Sequence, residues 1–196
     1  MTLYAVKPRF QIALRQVAGW CAARGITPDV LTVAGVICAA VAGMLLAMVG
    51  QSGWLWLVPP LLFARIAANA LDGMVARATE AGHPWGSVVN ETGDRVADML
   101  VFGGFVVGGA VTGPLALAVV PAVLFVSYLG VIGQAAGGTR RYDGPLGKAD
   151  RMLLLGAYCP LAFLTPHAGT VIALALLVGL ALTAVNRVRA MQVELS

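Results

Sequence analysis

Residues 69–98, NALDGMVARATEAGHPWGSVVNETGDRVAD, concentrate the polar chemistry of an otherwise apolar chain. The stretch holds Asp72, Asp94 and Asp98, Glu80 and Glu91, Arg77 and Arg95, and Asn69 and Asn90. Arg65, Asn69 and Asp72 follow one another at intervals of four and three, which places them on one helix face. Asn90, Asp94 and Asp98 repeat every four and share another face. Carboxylates held at the depth of a bilayer are costly, and they pair with cations, bind metal or line a pathway. A purely structural network, such as Asp72 with Arg77 and Glu91 with Arg95, accounts for one or two pairs but not for acids and amides at matching depth. An ion or proton pathway calls for ionisable groups across the whole membrane, whereas the outer halves of the flanking segments are bare.

The elements that must position these groups are membrane helices. The chain has 196 residues, of which 59% are hydrophobic and 11% charged, and its mean hydropathy is +0.86. A soluble domain carries roughly 25% charged residues. Apolar runs of about 20 residues span a bilayer, and short Gly, Pro and Ser breaks separate them. Six spans are predicted, at about 30–50, 54–77, 86–109, 114–136, 149–166 and 168–188, in one all-α integral membrane domain covering residues 1–196. Ahead of the first span, residues 7–24 predict an amphipathic helix lying in the interface, with Phe10, Ile12, Ala13, Val17, Trp20 and Cys21 on its apolar face. The N-terminus lacks the pattern of a cleaved signal peptide. Cys21, Cys38 and Cys159 have no metal spacing and read as packing residues. The pairs Gly104/Gly108 and Gly133/Gly137 read as helix contacts.

Positive charge sets the orientation. Lys7, Arg9, Arg15 and Arg24 precede the first span, and Arg77 follows the second. Arg140, Arg141, Lys148 and Arg151 follow the fourth span, and Arg187 and Arg189 close the sixth. The opposite connections, GQSG, GAVTG and TPHAG, contain no Lys, Arg, Asp or Glu. Both termini and the polar cluster are therefore expected on the cytoplasmic side, with Trp54 and Trp56 as outer interfacial anchors. At 1.5 Å per residue, Asp72 lies roughly 7 Å inside the cytoplasmic end of its span, and Asn90 and Asp94 at about 6 and 12 Å in theirs. Basic residues at segment ends serve topology, so the formal charge of +4 does not point to nucleic acid.

The stretch resembles the signature of the CDP-alcohol phosphotransferases, D-x2-D-G-x2-A-R-x8-G-x3-D-x3-D. It reads Asn69-x2-Asp72-Gly73-x2-Ala76-Arg77-x8-Gly86-x3-Asn90-x3-Asp94, with every spacing kept. GITPDVLTVAG likewise resembles the family's TPN-x-L-T at the start of the first span, with Asp29 in place of Asn. The resemblance implies a six-helix membrane transferase of phospholipid synthesis in a bacterial inner (plasma) membrane, usually a homodimer. In such an enzyme an alcohol hydroxyl attacks the lipid-side phosphate of a CDP-linked lipid such as CDP-diacylglycerol, and CMP leaves. The four acids hold Mg²⁺ or Mn²⁺ against the pyrophosphate, and the last is also the base. Carried over by position, Asp72 and Asp94 are metal ligands, with Asn69 and Asn90 beside them, and Asp94 is the catalytic base. Asp72, Gly73, Ala76, Arg77 and Gly86, with Thr27, shape the CMP site.

Two departures stand out. Asn69 and Asn90 replace acids, so the motif supplies two negative charges where the family pattern has four. Amide oxygens still bind hard cations. Either one cation is held tightly or a second arrives with the pyrophosphate, and Glu91 and Asp98 are candidates to restore charge. A catalytically silent CDP-lipid-binding homologue and a small transporter are the alternative readings. On the acceptor side, the resemblance assigns Arg140, Arg141, Lys148 and Arg151 to a phosphorylated alcohol, such as glycerol 3-phosphate or inositol phosphate. The same charges can serve topology and anionic headgroups instead. His83 and His167 are isolated and receive no catalytic role, and Arg65 is expected to tie Asn69 or Asp98.

Overall fold

The computed structural model describes residues 7–48 and 53–196, and among these it is all helix and turn. The helices are α1 (Lys7–Ala23), α2 (Pro28–Ala47), α3 (Val58–Ala78), α4 (Pro84–Val107), α5 (Gly113–Ala135), α6 (Lys148–Ala162) and α7 (Ala168–Leu195). A short 3-10 turn, Gly53–Leu57, leads into α3. The first-span boundary at 50, most of the GQSG connection and the side chains of Lys7 and Arg9 lie outside the described residues.

Local chemistry sets the helix starts. Prolines occupy the first turns of α2, α3, α4 and α5, where a missing N–H costs nothing and the fixed φ suits the helix. Thr27 accepts a hydrogen bond from the Val30 N–H, and His83 Nδ1 accepts one from the Gly86 N–H at 2.9 Å. At α6, the Gly147 N–H donates to the Asp150 carboxylate at 3.0 Å.

Helix α2 lies along α3 and α4, α5 along α7, and α6 against α3 and α7. Small residues allow the closest approach. A Cβ on Gly43 would collide with the Leu100 backbone, and one on Gly104 or Gly108 with the carbonyls of Gly43 or Leu46. Gly104 and Gly108 thus form a helix contact as expected. Gly137 does not: it lies beyond α5 at φ +92, in a turn that glycine adopts without strain. Around this seam Phe102, Phe105, Leu62, Met152, Leu155, Leu176 and Leu180 form the core.

Helix α1 divides its apolar residues. Ala18 and Cys21 are buried with Leu31, Leu71 and Val75, while Ile12, Val17 and Trp20 are exposed. The single apolar face expected from the sequence is therefore two: one packs on protein and the other faces outward. Trp54 and Trp56 sit on the 3-10 turn, and Trp56 stacks on Phe163 at 5.6 Å between ring centroids.

Four segments are long and apolar enough to cross a membrane: Pro28–Ala47, Gly53–Ala78, Gly113–Ala135 and Ala168–Leu195. Helix α4 has 24 residues but carries Glu91, Asp94, Arg95 and Asp98. Helix α6 has 15 residues and ends at Ala162, short of the expected 166. At 1.5 Å per residue it reaches about 22 Å, against a hydrocarbon core of about 30 Å. Helix α7 runs on to Leu195, past the expected 188.

Candidate active site

Helices α3 and α4 bring the four motif residues together in a crossed arrangement. Asn69 of α3 donates from Nδ2 to Asp94 Oδ1 of α4 at 3.0 Å. Asn90 of α4 donates from Nδ2 to Asp72 Oδ2 of α3 at 2.5 Å. Each helix thus supplies one acid and one amide, and each amide holds the other helix's acid. Asp72 also accepts from the Thr32 hydroxyl at 3.1 Å and from the Gly73 N–H. Both acids are buried, and an unpaired charge there would be strongly disfavoured.

Asp94 has a further partner: the Lys148 ammonium, at the first residue of α6, pairs with its Oδ1. Oδ2 has the Arg95 guanidinium at 3.9 Å. The base assigned by position therefore keeps one oxygen clear of the Asn69 and Lys148 contacts.

Glu91 and Asp98, the two candidates for extra charge, are engaged by arginines. Glu91 pairs with Arg95 at 3.2 Å and with Arg140. Asp98 is 1% exposed and pairs with Arg65, itself 2% exposed, at 2.7 Å, and with Arg151 at 3.7 Å. Of the two ties expected for Arg65, the structure shows the one to Asp98. Arg65 also donates to the Asp94 carbonyl at 3.4 Å, so this buried pair fixes the α4 backbone beside the site. Breaking such a pair by removing one partner costs about 3–5 kcal/mol, because the remaining charge stays buried.

The other expected site residues make contacts of their own. Gly73 faces Arg77, whose Nη1 would lie 3.3 Å from a Cβ placed there. A Cβ on Gly86 would press against the His83 ring, at 3.2 Å. Thr27 caps α2 with its side chain exposed, and Ala76 is half-buried. Among the basic residues, Arg140 reaches Glu91, and Arg141 pairs with Glu194 and Asp143. Arg151 is buried and donates to Ser127 Oγ and the Val123 carbonyl, both at 3.1 Å. A hollow of about 620 Å³ opens beside Arg141, lined also by Asp143, Asn186, Arg189 and Glu194.

Several participants carry no assignment from the sequence. Thr32 is the final Thr of the TPDVLT segment, so its signal was present. Arg187 was counted only toward topology, yet it is buried and donates to the carbonyls of Val126 and Asp143. Ser127 lay in an apolar run and had no signal.

Chemically, two carboxylates, two amides and a hydroxyl form an all-oxygen donor set of the kind that hard divalent cations prefer. A half-turn of either Asn amide exchanges its N–H donors for a carbonyl oxygen. Among the described residues, no three or more His, Cys, Asp or Glu side chains converge as a metal cluster. The fit is to a cation completed by amide and ligand oxygens.

Residues 25–185 match the CDP-alcohol phosphatidyltransferase family. The chain belongs to that family. Membership makes it a membrane-associated transferase of phospholipid synthesis, as the resemblance implied. The inner membrane protein YnbA of Escherichia coli is 34% identical over 158 residues, 81% of this chain and 79% of that protein. The phosphatidylinositol phosphate synthase of Mycolicibacterium smegmatis is 36% identical over 90 residues, 46% of this chain and 39% of that enzyme. The crystal structure of the Mycobacterium tuberculosis phosphatidylinositol phosphate synthase with CDP-DAG bound superposes with a TM-score of 0.76 at 24% identity, covering 91% of this chain and 93% of that one. That likeness is one of fold. The same mycobacterial enzyme has also been crystallised in complex with manganese and citrate.

Proposed function

We propose that this transferase moves the phosphatidyl, or another substituted phosphoryl, group of a CDP-linked lipid such as CDP-diacylglycerol to the hydroxyl of a phosphorylated alcohol, releasing CMP. The observation that carries this reading is the crossed pairing of Asn69 with Asp94 and Asn90 with Asp72, which gathers the signature residues of a transferase family into one cluster. The acceptor hydroxyl oxygen forms a bond to the lipid-side phosphorus, the bond from that phosphorus to the CMP oxygen breaks, and the hydroxyl proton passes to Asp94 Oδ2. Asp72 and Asp94, with Asn69 and Asn90, would hold Mg²⁺ or Mn²⁺, which supplies charge neutralisation at the pyrophosphate. Gly73, Ala76, Arg77, Gly86 and Thr27 surround the cytidine nucleotide.

A phosphorylated acceptor is supported by the basic groups around the loop between α5 and α6. Arg140 and Arg141 come from that loop and Arg189 from α7 beside Arg141, whereas Lys148 and Arg151, at the start of α6, are already turned to Asp94 and Asp98. Several relatives are named for inositol phosphate products, among them an archaetidylinositol phosphate synthase of Pyrococcus horikoshii that is 26% identical over 153 residues. In this reading the whole chain is one domain of six spans, α4 and α6 crossing as polar and short members of the bundle. Helix α1 lies in the interface with Ile12, Val17 and Trp20 toward lipid, the site opens to the cytoplasm, and two copies associate.

The test is CMP release from CDP-diacylglycerol with Mg²⁺ or Mn²⁺, across a panel of alcohols and their phosphates. Release should depend on the cation and be fastest with a phosphorylated polyol. Equal rates with neutral and phosphorylated acceptors would remove the acceptor assignment. Binding of CDP-diacylglycerol with no release from any acceptor would mark a silent homologue.

A further inference from the structure

We propose that the Lys148 ammonium replaces one of two divalent cations, so that this chain works with a single one, held at Asp72. The inference rests on the transferase reading above and concerns the cation count within it.

Four observations lead there. First, Asn69 and Asn90 stand where the family signature has acids, leaving Asp72 and Asp94 as the two charged motif residues. Second, Lys148 pairs with Asp94 on Oδ1, the same oxygen that takes the Asn69 N–H. Its Nζ is buried and has no hydrogen-bond partner elsewhere among the described residues. Third, the remaining acids nearby are already neutralised, Glu91 by Arg95 and Arg140, and Asp98 by Arg65 and Arg151. Fourth, among the described residues Asp72 accepts hydrogen bonds from neutral donors alone, the Thr32 hydroxyl, the Asn90 amide and the Gly73 N–H. Among the described residues, one acid therefore has a cation in direct contact and the other has none.

The chain before Lys148 is built to hold that ammonium in place. Gly144, at φ +111, lies so close to α7 that a Cβ would sit 2.6 Å from the Thr183 Cα. Two residues on, the Leu146 N–H donates to the Thr183 hydroxyl at 3.0 Å. Gly147 is then tied to Asp150, and Lys148 begins α6 with its direction set. Charge agrees with this placement. The four acids Asp72, Glu91, Asp94 and Asp98 already face five cations, Arg65, Arg95, Arg140, Lys148 and Arg151, so a divalent cation at Asp72 needs the substrate pyrophosphate beside it and a second has no free acid to hold it. A second divalent ion at Asp94 would meet the ammonium at close range in a low-dielectric setting, where like charges repel strongly.

Bound Mn²⁺ counted by electron paramagnetic resonance on the full chain in lipid nanodiscs, with CDP-diacylglycerol present, tests the idea without reading turnover. Wild type should saturate at one Mn²⁺ per chain. The triple variant Asn69→Asp, Asn90→Asp, Lys148→Met should saturate at two, and Lys148→Gln in the same background serves if the first does not fold. Two Mn²⁺ in wild type, or one in both triple variants, would overturn the proposal. Two Mn²⁺ with intact CMP release removes only the Lys148 role. No bound Mn²⁺ and no CMP release removes the transferase reading and this inference with it.

Discussion

Each of Asp72 and Asp94 is held by an amide from the opposite helix, and Asp72 has one more side-chain donor, the Thr32 hydroxyl at 3.1 Å. A hydrogen bond to a charged group is worth about 1.5–3 kcal/mol. Thr32→Val keeps the shape and removes the donor, so kcat/KM for CMP release should fall about tenfold, at about 1.4 kcal/mol per decade. Turnover unchanged in that variant would mean that Asn90 and Gly73 already fix the Asp72 carboxylate. At this scale the sequence was legible wherever helical spacing aimed side chains: Asn69, Asp72, Asn90 and Asp94 converge as their three- and four-residue intervals imply. It was less legible where a partner comes from a distant segment. Nothing local joins Lys148 to Asp94 or Arg187 to Val126, because those meetings depend on how α6 and α7 fold back on the bundle.

The site is held in register by the α2–α4 seam and by the loop leading into α6. Gly104 touches the Gly43 carbonyl so closely that Gly104→Ala must push α4 away from α2. Overpacking of this kind costs about 1–3 kcal/mol, and thermal unfolding in detergent should show a lowered midpoint; an unchanged midpoint would show that the seam gives way freely. At the far end of α7, hydrogen bonds from Thr139 hold the exposed Glu194 carboxyl below the ordinary glutamate value of 4.5. A depressed carboxyl pKa stabilises the fold above the unfolded value, and that contribution is lost as pH falls through the folded value. The midpoint of Glu194→Gln should therefore lie below that of wild type at neutral pH, and the gap should close on acidification below about pH 4.5. A gap that persists there would assign the effect to packing. The starts of α2 to α5 lie near the expected breaks, because the prolines in their first turns act locally. The split face of α1 and the early end of α6 were not legible in this way, since they depend on which neighbour covers each residue.

For the molecule as a whole, the polar cluster sits among α2, α3, α4 and the start of α6. Helices α2, α5 and α7 carry apolar faces, exposed at Val33, Ile37, Phe125, Val178 and Leu182. Asp94 and Asp98 of α4 turn inward toward α3 and α6. An arrangement of that kind suits a lipid-linked substrate, whose tails stay in the bilayer while its phosphates reach the acids. The account stands on Asp94 as the group that takes the acceptor proton. CMP release from CDP-diacylglycerol with Mn²⁺, compared between wild type and Asp94→Asn, addresses it most directly. A missing general base costs about 10²–10⁴-fold, so the variant should lose at least about 10²-fold in rate while still binding CDP-diacylglycerol. An Asp94→Asn protein that releases CMP at the wild-type rate would contradict the account.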